Sequence, residues 1–137
     1  MNKNEMNRKA KGIGAERELV HLFWDSSWAA VRVAGSGSMK YPSPDILASN
    51  NRRKLGIECK AIRGNSQYFA KEEIKDLKSF CSLFGAEPWI GVKFKSEWVF
   101  ISLEDIRETG KNFVVSRELA KQKGVSFGEL IGDFKDI

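Results

Sequence analysis

Asp45-Ile46-Leu47-Ala48, Ser49-Asn50-Asn51-Arg52-Arg53 and Lys54-Leu55-Gly56-Ile57-Glu58-Cys59-Lys60-Ala61-Ile62 run without a break, and their reading decides the fold. The outer segments carry the alternation of half-buried strands, and the Asn- and Arg-rich middle is a turn. Leu55, Ile57, Cys59 and Ala61 fall on one face of the longer strand, and Gly56, Glu58 and Lys60 on the other. A hairpin register that joins Ala48 to Leu55 and Ile46 to Ile57 brings apolar residues together. The same register sets Asp45 opposite Glu58, with Lys60 two residues along on the same face. Two carboxylates then converge beside one ammonium. Like charges side by side cost energy that a bound Mg²⁺ relieves, and ions held this way activate water for displacement at phosphate. An exposed sheet face with a cross-strand salt bridge is the simpler reading of a lone Glu-X-Lys. Three features weigh against it: Pro44-Asp45 at hairpin distance, the basic stretch Arg52-Arg53-Lys54, and a third carboxylate at Glu16.

Upstream, Trp28–Val33 reads as a strand. It is followed by a loop from Gly35-Ser36-Gly37-Ser38 through Pro42 and Pro44. Gly12-Ile13-Gly14 precedes a predicted helix from about Ala15 to Trp24, with an apolar stripe of Leu19, Val20 and Phe23. Glu16 heads that stripe, and a carboxylate aimed at the core side is expensive unless paired or bound. Residues 1–12, with Lys3, Arg8, Lys9 and Lys11, read as a flexible basic arm. Downstream of Arg63-Gly64-Asn65, Ile74, Leu77, Phe80, Cys81 and Phe84 predict a helix over 71–84 that stops at Gly85. Strands follow at Trp89–Phe94, Trp98–Leu103 and Asn112–Val115, then helix starts at Ser116-Arg117-Glu118 and Ser126-Phe127-Gly128-Glu129. The expectation is one α/β domain over 13–137, a central mixed β-sheet flanked by α-helices.

The 137 residues suffice for one domain, and 42% hydrophobic with 30% charged residues is a folded composition. The formal charge of +5 leans toward polyanions. No apolar run approaches the ~20 residues of a membrane span. One histidine and two cysteines leave little for zinc sites, disulfide scaffolds or histidine triads, so catalysis falls to carboxylates, lysine and a divalent metal.

The order of Glu16, Pro44-Asp45 and Glu58-Cys59-Lys60 resembles the restriction-endonuclease-like nuclease superfamily. Gly14-Ala15-Glu16-Arg17-Glu18-Leu19, then Val31-Arg32-Val33-Ala34-Gly35-Ser36, Ile57-Glu58-Cys59-Lys60, the Phe80/Phe84 helix and Val92-Lys93-Phe94 look like the archaeal Holliday junction resolvases. The likeness runs over roughly residues 12–103. It implies a metal-dependent endonuclease that cuts four-way junction DNA into paired nicks. Glu16, Asp45 and Glu58 would hold Mg²⁺, with Mn²⁺ as substitute, and Lys60 would support hydrolysis. Ser36 or Ser38 would approach the site from the mobile loop. Arg17 and Arg32 match basic positions of the family. Lys9 and Lys11 of the arm, Arg52, Arg53, Lys54, Arg63 and Lys71 are candidates for the DNA-facing surface. Phe80 and Phe84 would contribute to a homodimer interface, and two-fold symmetry suits a junction that must be cut twice. A cytoplasmic, nucleoid-associated protein is expected, with no membrane and with a replication or recombination protein as a further partner. Two alternatives remain at this point: another restriction- or repair-type endonuclease on the same core, and a non-catalytic DNA-binding module.

Overall fold

The computed structural model describes residues 2–33 and 41–132, apart from the side chains of Arg8 and Lys11. Its elements are α1 (Lys3–Asp25), β1 (Ala29–Arg32), β2 (Ile46–Ser49), β3 (Lys54–Ile62), β4 (Ser66–Ala70) and α2 (Lys71–Phe84). They continue with β5 (Glu87–Phe94), β6 (Glu97–Ser102), β7 (Arg107–Thr109), β8 (Asn112–Ser116), α3 (Arg117–Lys123) and α4 (Phe127–Leu130). β3 sits at the centre of a five-stranded sheet of order β1-β2-β3-β5-β6. It pairs antiparallel with β2 and parallel with β5, so the sheet is mixed, as expected. The parallel pair needs a crossover, which β4 and α2 supply.

Both faces of this sheet are covered. On one, Ala15, Leu19 and Phe23 of α1 recur every four residues and pack with Trp28, Ile46, Leu55, Ile57, Phe100 and Leu130. On the other, Ile74, Leu77 and Cys81 of α2 meet Phe69, Ile90, Val92, Ile101 and Val115. Gly56 is small because α2 lies directly above it: a β-carbon there would stand 2.6 Å from Cys81 Sγ. Gly85 ends α2 with φ +81°, a backbone that glycine adopts without steric cost. Among the described residues no helix is long and apolar enough to cross a membrane.

Three sequence expectations are corrected. The first helix starts at Lys3, so residues 3–12 are its opening turns and not an irregular arm. Asn2 caps it, accepting a 2.8 Å bond from Glu5 N–H and donating a 2.9 Å bond to the Glu5 carboxylate. Gly12 and Gly14 lie inside this helix, although each costs about 1 kcal/mol against alanine. Second, β4 and β7 were not predicted; with β8 they form a separate three-stranded sheet of order β4-β8-β7. Third, β5 begins at Glu87, so Pro88 lies within the strand, beside Gly56 of β3.

Candidate active site

The β2–β3 register is the expected one, with Ala48 against Leu55 and Ile46 against Ile57. Regular pairing stops there, one residue short of Asp45. The Asp45 N–H donates to Ile57 O at 3.0 Å, and its carbonyl accepts from Val33 N–H at 2.8 Å. Its carboxylate Oδ2 accepts from Cys59 N–H at 2.8 Å. Backbone and side chain are thus held by the strands on both sides. Cys59 lies between Glu58 and Lys60, so the same bond fixes Asp45 against both.

Glu58 and Lys60 share the Gly56 side of β3 and are half-buried. Burial pushes the Glu58 carboxyl up to about 8, with the Asp45 charge as the second cause; Lys60 partly offsets them, and Glu73 and Glu16 add to the rise. Glu16 comes from α1 and feels Asp45, Arg32 and Lys60 electrostatically. Its carboxylate lies 3.7 Å from Arg32 Nη1, with 17% of the side chain exposed. Burial and then Asp45 raise its pKa, against the pull of Arg32 and Lys60. The fold therefore gathers Glu16, Asp45, Glu58 and Lys60 into one electrostatic unit. The Cys59 thiol is buried in the core beneath α1 and held well above its ordinary pKa, first by burial and then by Asp45.

The donor set is hard oxygen, which suits Mg²⁺ or Mn²⁺. Among the described residues no group of three or more acid, histidine or cysteine side chains stands ready to hold a metal ion. The expected trio of Glu16, Asp45 and Glu58 is therefore not drawn together as a ready three-carboxylate cage.

The other predicted residues disperse. Ser36 and Ser38 lie outside the described residues, as does the side chain of Lys11. Lys9, Arg17, Arg52 and Arg63 are exposed. Lys71 pairs with Glu108 at 2.7 Å. The basic stretch lies between the acids in sequence but away from them in space: Lys54 is four residues along β3 from Glu58, about 13 Å at strand rise. Arg53 is occupied there. Its Nε and Nη2 donate to the Glu87 carboxylate at 2.8 and 2.9 Å, Nη1 donates to Leu130 O at 2.6 Å, and the guanidinium lies 5.7 Å from the Trp28 ring centre. Lys54 Nζ stands 5.7 Å from the ring centre of Phe84. Phe80 and Phe84 stack at 5.1 Å.

Two sets of residues went unread in the sequence. Glu73, in the first turn of α2, feels Glu58 because the chain folds back after β3. Glu18, two residues past Glu16, accepts from Lys93 Nζ at 2.7 Å and from Trp98 Nε1 at 3.1 Å. The signal for the second was an acid on α1 spaced to face away from Glu16, but its partners are 75 and 80 residues distant.

Residues 7–136 match the family model described as archaeal Holliday junction resolvase (Hjc). The crossover junction endodeoxyribonuclease Hjc of Archaeoglobus fulgidus is 36% identical over 127 residues, covering 92% of this chain and 93% of that protein. The enzyme of the same name from Methanocaldococcus jannaschii is 34% identical over 127 residues, covering 93% and 91%. Hje, the crossover junction endodeoxyribonuclease of Saccharolobus solfataricus, is 36% identical over 123 residues, covering 85% and 90%. The solved structure of Archaeoglobus fulgidus Hjc, titled a Holliday junction resolvase, superposes with a TM-score of 0.83 at 33% identity, covering 92% of this chain and 99% of that one.

Proposed function

This chain belongs to the archaeal Holliday junction resolvase family, and on that premise we propose that it is a structure-selective endonuclease that resolves four-way DNA junctions by paired nicks. The observation that carries the reading is Asp45, held by Cys59 N–H, beside Glu58 and Lys60 of β3, with Glu16 of α1 coupled to them electrostatically.

Asp45 and Glu58 are the residues that would hold Mg²⁺, or Mn²⁺ in its place, with Glu16 beside them. When bound, such an ion supplies charge neutralisation at the phosphate and a more acidic water. The chain's own part is to hold Asp45 by its bond from Cys59 N–H and to keep Glu58 half-buried beside it. Lys60 faces the same space and stabilises charge that develops at the attacked phosphate. Arg32 balances Glu16, which keeps the helix carboxylate from repelling DNA. Arg17, Arg52, Arg63 and Lys9 are exposed cations free to meet phosphates in a shape-led contact with little base reading.

The reading includes a homodimer. Leu83 is 92% exposed and Phe84 47% exposed beside the half-buried Phe80, an apolar patch that a second copy would cover. Two copies give two sites related by two-fold symmetry, which suits two cuts on opposed strands. A cytoplasmic, nucleoid-associated location with a replication or recombination partner belongs to the same proposal.

Labelled four-way junction and linear duplex of the same sequence, incubated with the protein and Mg²⁺, test it. Symmetric paired nicks confined to the junction and lost in Asp45→Asn are expected. Equal cutting of the linear duplex would assign a restriction- or repair-type activity instead. Tight junction binding without cutting under Mg²⁺ or Mn²⁺ would reduce the protein to a binding module.

A further inference from the structure

We propose that Glu18 is a positioning residue: by gripping Lys93 and Trp98 on the sheet, it fixes the rotation of α1 and so places Glu16 in the acid site. The proposal rests on the reading of Glu16 as part of that site.

Successive helix residues turn by about 100°, so Glu16 and Glu18 project from opposite flanks of α1. The buried stripe Ala15, Leu19 and Phe23 lies beneath them, and Arg17 is exposed above. On one flank Glu16 meets Arg32 of edge strand β1 at 3.7 Å. On the other, the two oxygens of Glu18 take separate donors, Lys93 Nζ of β5 at 2.7 Å and Trp98 Nε1 of β6 at 3.1 Å. The Glu18 contacts are the shorter. They are also anchored in stiffer places: Lys93 and Trp98 are directly paired across β5 and β6, Trp98 is buried, and only 18% of the Lys93 side chain is exposed.

This asymmetry assigns the roles. The apolar stripe holds α1 against the sheet, and the polar contacts on its two flanks add a directional constraint on its rotation. A roll about the helix axis moves Glu16 and Glu18 in opposite senses. The two-donor grip on Glu18 opposes that roll, while the 3.7 Å pair of Glu16 follows it.

Two measurements decide the proposal. The first uses no cleavage: the Nε–Hε NMR signal of Arg32 reports the Glu16–Arg32 pair. Glu18→Ala is expected to move that signal in the direction that Glu16→Gln moves it, whereas Trp98→Phe, which removes one donor, moves it less. The second is single-turnover junction cutting in a double-mutant cycle. Glu18→Ala is expected to slow cutting about tenfold or more with little change in junction affinity. In the Glu16→Gln background the same change is expected to add nothing. Glu18→Gln, which keeps an oxygen for Trp98, is expected to recover part of the rate. An unmoved Arg32 signal in a folded Glu18→Ala protein overturns the proposal, and so does an equal loss of rate in both backgrounds. If the wild-type protein cuts no junction, the enzymatic reading fails while the Arg32 signal still decides the role of Glu18.

Discussion

Asp45 Oδ2 accepts the main-chain N–H of Cys59 at 2.8 Å, so an acid of the site also closes the ladder between the strands that carry it. Charge and acceptor are separable in that side chain. Asp45→Asn keeps an oxygen for Cys59 N–H and is expected to alter unfolding free energy by less than about 1 kcal/mol. Asp45→Ala leaves the amide unpaired and is expected to cost about 1–3 kcal/mol. Both are expected to abolish cutting. Urea titrations beside the junction assay check the split, and equal stability of the two variants would refute it.

Glu58 sets a pH dependence with a definite sign. Its folded pKa, about 8, stands above the carboxyl value of about 4.5. The folded state thus binds more protons between these values, and metal-free stability is expected to fall as pH rises from about 4.5 to 8, by a few kcal/mol at most. Glu58→Gln is expected to flatten that fall. Mg²⁺ is expected to reverse it, because the cation favours the ionised pair. Chemical denaturation from pH 5 to 9, with chelator or with Mg²⁺, reads all three curves.

Adjacent arginines are expected to behave oppositely. Arg53 is committed to Glu87 and Leu130 O within the fold. Arg53→Ala is expected to lower stability by about 1–2 kcal/mol, a range discounted for its partial exposure, and to leave the salt dependence of DNA binding unchanged. Arg52 is exposed. Arg52→Ala is expected to change stability by less than about 0.5 kcal/mol while lowering the salt slope by about 1. Fluorescence anisotropy on a junction over a salt series, with thermal melts, distinguishes them.

The apolar end of α2 carries the prediction on assembly. Leu83→Asp and Phe84→Asp together place charge in the exposed patch, at an expected cost of about 1–2 kcal/mol from the lost Phe80–Phe84 stack and the negative charge at the helix C-terminus, with circular dichroism to confirm the fold. Sedimentation at micromolar concentration is expected to show a dimer for the wild type and a monomer for the double variant. A wild-type monomer would dismiss the dimer.

What could be read in the sequence was whatever short-range pattern controls. The β2–β3 register followed from apolar alternation, because a one-residue slip would have turned Ile46 and Ile57 to the wrong face. It ends at Ile46, and Asp45 is placed instead by its bonds to Ile57 O and Cys59 N–H, which alternation does not foretell. The α2 stripe and its stop at Gly85 were equally local. The helical start at Lys3 was hidden by Gly12 and Gly14, which argue for a break and are outweighed by the Asn2 cap and the run of good helix formers. β4 was missed because only Phe69 of its five residues is buried, too little for an alternation to register. The contacts of Arg53 within the fold have a long-range cause: its acceptors are 34 and 77 residues away, and no spacing rule points to them.

Cys59 and Cys81 are both free and buried, but they belong to different layers, one on β3 beneath α1 and the other on the inner face of α2. A thiol in such a place reacts with an alkylating reagent only when its surroundings open. The two sulfurs are therefore built-in clocks for the two halves of the molecule. Mass spectrometry of a single alkylation time course would time the breathing of the α1 layer at Cys59 and of the α2 layer at Cys81. It would show which side of β3 loosens first when junction DNA is added, with no foreign probe attached.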